Sequence, residues 1–231
     1  MTSGIFVVGT DTDVGKTLIS SSLAWKLSKK IKKVVVMKPF ATGPGVYSKN
    51  FRSKDVSILA SSINLQENDY EINPYYYQLA CSPYMAASIL KQEPPNLHHA
   101  LRNLTRLSKK YDYIIVEGIG GVLVPLTKTK TLIDFIKLSN LEVILVTTPK
   151  VGTINHTLLT INECTRNNIT IKGIIINRMP KKKNTIESQT PKYLKLFTNI
   201  PIIGIVPEIV SLNYNTKTFN TVSKRIRIDY L

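Results

Sequence analysis

The sequence predicts an α/β fold in which helices cover both faces of a parallel sheet. Short apolar runs rich in Val and Ile recur along the chain, as in strands that are buried on both faces. Segments with helical periodicity separate most of these runs. Because two parallel strands need a crossover connection, repeated alternation of strand and helix is typical of a parallel sheet.

The composition fits a globular protein. The chain has 231 residues, of which 43% are hydrophobic, enough to bury a sizeable core. We expect a single domain over residues 1–231, with residues 208–231 forming a basic tail of weak periodicity. The sequence has neither an apolar run as long as a membrane span nor a secretory signal pattern, so it predicts a cytoplasmic protein without a membrane partner.

The formal net charge is +16, which raises the question of a nucleic-acid partner. The lysines lie in short runs at predicted helix ends and loops, and aromatic residues do not alternate with them. This pattern favours a solvated surface over a nucleic-acid groove, and we expect no nucleic-acid partner. The charge would still raise the local concentration of anionic ligands.

The first half of the chain alternates less regularly than the second. We predict strands at residues 4–9 and 34–37, with helices at residues 15–30, 55–63 and 97–110 and another helix that begins at Ser82-Pro83. Turn-forming residues predict a loop over residues 40–54. Residues 64–80, which include three consecutive tyrosines, are expected to be irregular.

The second half repeats the alternation. Predicted strands cover residues 113–116, 143–146, 171–176 and 202–206, and predicted helices cover residues 131–139, 155–166 and 188–197. Residues 147–154 are expected to form a loop. Ligands of such sheets bind outside the carboxyl ends of the strands, so polar residues at these ends should converge on one crevice.

A glycine-rich loop, residues 9–17, follows the first strand and leads into the first helix. Unpaired N–H groups and the helix dipole favour an anion at such a position. Lys16 would neutralise the outer phosphates of a nucleotide, and the Thr17 hydroxyl would bind Mg²⁺. The first glycine lies one position earlier than in the common P-loop, with Thr10 in its place. The sequence therefore predicts a P-loop NTPase-like fold with a variant loop.

Three more polar residues lie at predicted element ends. Glu117 ends an apolar strand, where a carboxylate has no packing role, and would suit Mg²⁺. Asp55 either caps its helix or ligates the same ion. Lys38 is either an ordinary strand-end charge or a group that neutralises a transferred phosphoryl group.

The last strands add a candidate base-recognition residue. Asn177 either reads a base edge or caps the next segment. The residues after it include no aspartate of the kind that pairs with guanine, which favours adenine and hence ATP. Gly118, Gly120 and Gly121 either allow a ligand to approach the backbone closely or supply a tight turn.

Four stretches in order resemble the motifs of the dethiobiotin synthetase family: residues 9–17, 38–43, 117–121 and 151–156. The resemblance runs from residue 4 to about residue 207 and includes the shifted glycine. Two residues depart from the family pattern: Thr42 stands where serine is usual, and Asp13 where glutamate is common.

The resemblance implies an ATP-dependent cyclo-ligase. Such an enzyme makes dethiobiotin from 7,8-diaminopelargonate and CO₂ through a carbamate and a carbamic-phosphoric anhydride, with Mg²⁺, and releases ADP and phosphate. By similarity, Lys16 and Lys38 would be catalytic, and Mg²⁺ would be held by Thr17, Asp55 and Glu117.

The resemblance also implies the binding residues and a homodimer. ATP would be bound by Asp13, Val14, Gly15, Lys16, Thr17, Asp55, Glu117, Gly118, Gly120, Asn177 and Pro207. The substrate would contact Thr12, Lys38 and Thr42. In the family, the stretch that contains Val151, Gly152 and Asn155 reaches the substrate's carboxylate end across the dimer interface.

Three other classes remain open at this point. An amide-forming ligase related to cobyrinate synthesis usually carries an amidotransferase domain, for which this chain has no room. A partitioning ATPase normally has an extra lysine near the first glycine, where this chain has Thr10 and Asp11. A nucleic-acid-binding protein would use the positive charge.

Overall fold

The computed structural model describes residues 3–182 and 185–230. Residues 1, 2, 183, 184 and 231, which the single-domain prediction includes, lie outside this description. Within the described residues the main sheet is built from β1 (Gly4–Gly9), β2 (Val34–Met37), β5 (Tyr113–Glu117), β6 (Glu142–Thr147), β7 (Ile171–Met179) and β8 (Ile202–Pro207). A second, small sheet contains β3 (Phe40–Thr42) and β4 (Tyr75–Tyr77).

The six strands of the main sheet are all parallel and follow the order β2-β5-β1-β6-β7-β8. The strand that precedes the glycine-rich loop, β1, is therefore central. Five of its six residues are buried, because apolar side chains alternate into the cores on the two faces of the sheet. This placement puts the loop in the middle of the carboxyl edge of the sheet.

Helices cover both faces, as the alternation predicts. The described helices are α1 (Lys16–Leu27), α2 (Lys54–Ser62), α3 (Asp69–Ile72), α4 (Pro83–Ile89), α5 (Leu97–Lys110), α6 (Leu132–Ser139), α7 (Thr153–Arg166), α8 (Thr190–Phe197) and α9 (Thr216–Ser223). One core contains residues of α1 and α9, and the other contains residues of α5, α6, α7 and α8. The fold class predicted from the sequence is confirmed.

Two regions differ from the sequence prediction. Residues 40–54 were expected to form a loop, but Phe40–Thr42 forms β3. Residues 64–80 were expected to be irregular, but they contain α3 and β4. The two strands pair in parallel, with Phe40 opposite Tyr75, so each owes its conformation to a partner more than thirty residues away. Local pattern carries no signal for such a pairing.

Several boundaries also shift. The helix predicted at residues 15–30 begins at Lys16 and ends at Leu27, and the one predicted from residue 155 begins at Thr153. The strand predicted at residues 171–176 extends to Met179. The helix predicted at residues 188–197 is a short 3₁₀ turn (Glu187–Gln189) followed by α8. The tail that lacked a clear pattern contains α9, which packs against α1.

Among the described residues, no helix is both long and apolar enough to cross a bilayer.

Candidate active site

The glycine-rich loop joins β1 to α1 at the carboxyl edge of the sheet. Gly15 precedes the helix with φ 90°, a backbone conformation that L side chains rarely adopt. The ammonium of Lys16 turns back over the loop and donates to the Asp11 carbonyl at 2.8 Å. The loop thus closes around its own lysine, which leaves the first amides of α1 facing the crevice.

An ion-pair cluster lies beside the loop, buried except for the Asp55 side chain, which is 46% exposed. The Lys38 Nζ is 2.6 Å from Glu117 Oε1 and 3.0 Å from Asp55 Oδ2. The Thr17 hydroxyl donates to the same Glu117 oxygen at 2.9 Å. Glu117 is fully buried and Lys38 is 5% exposed. Lys38 directly follows β2, and Glu117 ends β5. Asp55 and Thr17 lie at the starts of α2 and α1. The shared crevice expected at the carboxyl ends of the strands is therefore present.

Charge balance in this cluster keeps Lys38 protonated. Burial alone would lower the pKa of Lys38, but the carboxylates of Glu117 and Asp55 outweigh it and raise that pKa above its ordinary value. The Lys38 ammonium in turn lowers the pKa of Asp55, against the opposing effect of burial. Lys38 therefore supplies a fixed positive charge and does not act as a base.

The cavity at this cluster has a volume of about 190 Å³. It brings together ten of the residues predicted from the sequence, namely Thr12, Asp13, Gly15, Lys16, Thr17, Lys38, Thr42, Asp55, Glu117 and Gly120. A cavity of this size suits the phosphate end of a nucleotide and the reacting groups, since a whole drug-sized ligand usually occupies more.

Lys16 differs from Lys38 in its electrostatics. Burial, and then the nearby charge of Lys38, lowers the pKa of Lys16 to about 8. Bound phosphate favours the ammonium, so nucleotide binding near and above pH 8 should take up a proton. We expect the affinity for ADP, measured by calorimetry without divalent metal, to fall about tenfold between about pH 7 and pH 9.

The direction of this pH dependence follows from the lowered pKa of Lys16. Below pH 8 the free protein already carries the ammonium and binds at full strength, whereas above it part of the binding energy is used to protonate Lys16. Lys16→Arg is the matched control, because guanidinium stays charged over this range. An affinity for ADP that does not change between these pH values in the unsubstituted protein would contradict this assignment.

Asn177 lies underneath the loop. Its amide nitrogen donates to the Val14 carbonyl at 2.9 Å, and its side chain is 1% exposed. Its amide oxygen is buried and has no hydrogen-bond partner among the described residues. In the structure, the side chain thus supports the phosphate loop from below. The sequence offered two roles for Asn177, a base contact or a cap, and did not anticipate this contact.

An irregularity in β7 turns the next side chain into the crevice. Between Ile176 and Met179, β7 advances three residues while β8 advances two, from Ile205 to Pro207. Arg178 lies inside this bulge with φ 58° and lines the phosphate cavity. Bulges commonly redirect side chains next to functional sites.

Four predicted ATP residues lie outside the phosphate cavity. Val14 is packed in the core, and Gly118 lies behind the cavity, where its N–H donates to the Val7 carbonyl at 2.9 Å. Pro207 ends β8, and Asn177 is the buried support described above. These residues shape or hold the site, and none of them lines the cavity itself.

The predicted substrate residues of the 151–156 stretch lie elsewhere. Val151 and Gly152 line a separate, mainly apolar cavity of about 470 Å³, with residues of the 186–193 region including Tyr193. Val151 is 91% exposed, and Asn155 is exposed in the first turn of α7. A chain of threonine hydroxyls still links the two regions, because Thr147 lies between Thr10 of the loop and Thr153 of α7.

Three cavity residues were missed by the sequence reasoning: Ile119, Arg178 and Tyr214. Ile119 sits inside the glycine-rich motif at residues 117–121 and could have been included on that ground. Arg178 depends on the bulge, and Tyr214 lies in the segment without clear periodicity. Neither has a signal in the sequence alone.

The oxygen donors around Glu117 fit a hard divalent cation. Glu117 Oε2 is buried without a partner among the described residues, while Oε1 of the same carboxylate contacts the Thr17 hydroxyl and the Lys38 ammonium. The Asp55 carboxylate pairs with that same ammonium. Oxygen ligands of this kind are those that Mg²⁺ prefers. The described residues contain no cluster of three or more His, Cys, Asp or Glu side chains, so the ion would need further ligands such as nucleotide phosphate and water.

Comparison with known proteins decides the family. A family model described as "AAA domain" matches residues 3–216. The ATP-dependent dethiobiotin synthetase BioD of Nitrosopumilus maritimus is 40% identical over 209 residues, which cover 90% of each chain. The enzyme of the same name from Thermodesulfovibrio yellowstonii is 37% identical and covers 100% of this chain and 99% of its own.

This chain belongs to the dethiobiotin synthetase family. The resemblance noted in the motifs is thereby confirmed, as is the expectation of an ATP-dependent ligase. Members of the family with at least a third of their residues identical cover nearly the whole chain, including both the ion-pair cluster and the 151–156 stretch.

Solved structures extend the likeness at the level of fold. The septum site-determining protein MinD of Pyrococcus horikoshii, solved with Mg-ADP, has a TM-score of 0.57 at 16% identity and covers 97% of this chain and 95% of its own. A ParA family ATPase from Chlorobium tepidum has a TM-score of 0.56 at 17% identity, with coverage of 98% and 100%. At these identities the likeness shows a shared P-loop NTPase fold and says nothing about a switch activity.

Proposed function

We propose that this chain closes the ring of dethiobiotin at the expense of ATP, from 7,8-diaminopelargonate and CO₂. One amine of the substrate adds CO₂ to form a carbamate, whose oxygen attacks the γ-phosphorus and displaces ADP. The second amine then attacks the carbonyl carbon of the mixed anhydride and displaces phosphate. The proposal is supported by the family membership and by the meeting of Lys38, Glu117, Asp55 and Thr17 beside the phosphate loop.

The two lysines provide the charge that this sequence needs. Lys16, seated over the loop, faces the outer phosphates, and the fixed ammonium of Lys38 stabilises charge on the transferred group. Phosphoryl transfer depends more on positioning and charge neutralisation than on a strong base. This suits the cavity, whose described lining residues include no histidine. Thr12 and Thr42 line the same cavity and are placed to hydrogen-bond the carbamate or an amine.

We further propose that Thr17, Asp55 and Glu117 hold Mg²⁺. When bound there, the ion would neutralise developing charge between the transferred phosphoryl group and ADP. Glu117 and Asp55 meanwhile keep Lys38 charged and aimed into the cavity.

The remaining predicted binding residues form the outer parts of the proposed site. Asp13, Gly15 and Gly120 would surround the phosphates, with Gly118 behind the cavity and with Val14 and Asn177 holding the loop. Asn177 and Pro207 would lie toward adenine. In a homodimer of this cytoplasmic enzyme, Val151, Gly152 and Asn155 would meet the substrate's carboxylate end from the partner subunit. The first amides of α7 are suited to an anion there.

The decisive assay follows phosphate release. With Mg²⁺, ATP and bicarbonate, the purified protein should release phosphate only when 7,8-diaminopelargonate is added, and dethiobiotin should form in equal amount. Phosphate release that ignores the diamine would favour a switch ATPase over a synthetase.

A further inference from the structure

Tyr214 faces the phosphate cavity, although no motif includes it. It lines the same cavity as Lys16 and Lys38 and is 37% exposed. Burial raises the pKa of its phenol, and the negative charges of Asp55 and Glu117 raise it further, against the charge of Arg178. The phenol thus lies within electrostatic reach of the carboxylates on which the ion-pair cluster is built.

The fold holds Tyr214 in this place from both sides. Tyr214 lies in the segment between β8 and α9, which begins where the Glu208 N–H donates to the Met179 carbonyl at 2.8 Å. The segment ends at Asn215, whose side chain caps α9 by accepting from the Thr218 N–H at 3.0 Å. Tyr214 is therefore one residue away from a fixed helix end.

Helix α9 is itself anchored to the helix that starts at the phosphate loop. It packs along α1, and the Lys26 ammonium donates to the carbonyls of Ser223 and Ile226 at 2.8 Å each. Because α1 begins at the loop and α9 is bound to α1, the residue before the α9 cap is held over the cavity. The position of Tyr214 is a consequence of this packing.

The cavity has little other apolar cover. Among the described residues that line it, only Ile119 and Tyr214 carry large apolar surfaces, and the rest are charged, hydroxyl-bearing or glycine. Water entering such a cavity would compete with the second amine for the mixed anhydride. Attack of water on its phosphorus breaks the bond to the carbamate oxygen, yielding carbamate, phosphate and a proton, so ATP is consumed without ring closure.

We propose that Tyr214 covers the reacting phosphoryl group and excludes water from the phosphorylated carbamate. This inference rests on the proposed function and adds a role in coupling ATP cleavage to ring closure. Excluding water from a reactive intermediate is a recognised task of groups that close over a site. The aromatic ring does the covering, so the hydroxyl is dispensable.

The test measures ADP released per dethiobiotin formed, with Mg²⁺, ATP, bicarbonate and saturating diamine. We expect a ratio of about one for the unsubstituted protein and for Tyr214→Phe, and a ratio about threefold higher for Tyr214→Ala. Tyr230→Ala is the matched control, since Tyr230 has the same 37% exposure but does not line the cavity. The ratio is unaffected by partial unfolding, because unfolded protein forms neither product.

The outcomes separate the two proposals. If the unsubstituted protein forms dethiobiotin and Tyr214→Ala keeps a ratio near that of the control, the shielding role is wrong and the proposed function stands. A raised ratio in Tyr214→Phe equal to that in Tyr214→Ala would also overturn it, because the ring would then not suffice. If the unsubstituted protein forms no dethiobiotin, the proposed function fails and the shielding role fails with it.

Discussion

Replacing Lys38 with methionine should reduce turnover about a thousandfold while changing the dissociation constant for ATP by less than about threefold. Methionine is an unbranched side chain one atom shorter than lysine, so it keeps most of the length and removes the charge. The ammonium contacts Glu117 and Asp55 beside the loop. The phosphates already in ATP would instead be bound by the loop amides and by Lys16, which lies over the loop. Turnover is measured as dethiobiotin formed, and ATP affinity by equilibrium binding.

The same change carries a cost in stability. Removing one partner of a buried ion pair leaves an uncompensated charge, and such losses are typically about 3–5 kcal/mol. Glu117 is fully buried and already has one carboxylate oxygen without a partner. We therefore expect Lys38→Met to melt at a lower temperature, and the double variant Lys38→Met with Glu117→Gln to recover part of that loss.

Two further variants make the test of Lys38 independent of folding. Lys38→Arg keeps the charge but not the compact geometry of the ammonium, and should fold normally with turnover still lowered by about a hundredfold. Lys54→Met is the matched control, because Lys54 is an exposed lysine at the start of α2, outside the cavity. A loss confined to ATP affinity, with full turnover at saturation, would contradict the role in phosphoryl transfer that we propose for Lys38.

The central architecture was readable from sequence because its signals are local. Strands that are buried on both faces appear in the sequence as unbroken apolar runs. The loop is identified by the spacing of its glycines and its lysine. The rule that ligands bind at the carboxyl ends of parallel strands then linked Lys38, Glu117 and the loop before any contact was known. The 2.6 Å pairing of Lys38 with Glu117 is a consequence of their positions at the ends of β2 and β5, which are neighbours in the sheet.

What the sequence did not predict depends on distant contacts. The β3 strand of three residues exists because β4 pairs with it. Helix α9 packs against α1 and buries Val222 in the core that contains α1. Arg178 enters the cavity through a bulge whose register is set by β8, and Tyr214 through the docking of α9. In each case the determining partner is remote in the chain, so no window of sequence contains the information.

Replacing Gly15 with alanine should weaken ATP binding by at least about a hundredfold. Two costs combine at this residue. Its φ of 90° lies outside the range that alanine adopts readily, a strain of about 1–3 kcal/mol. In addition, a methyl group there would overlap the amide nitrogen of Asn177, which holds the Val14 carbonyl. The loop must therefore shift away from the geometry that presents its amides to phosphate.

Gly45→Ala separates these two costs. Gly45 has a similar φ of 84°, but a methyl group there meets nothing within 4 Å. The Gly45→Ala variant should therefore lose about 1 kcal/mol of unfolding free energy and keep full ATP affinity. Combining Gly15→Ala with Asn177→Gly removes the overlap and retains the strain, so we expect ATP affinity to recover only in part. If Gly15→Ala binds ATP as tightly as Gly45→Ala does, the loop does not depend on its contact with Asn177, and the phosphate site must be held by other means.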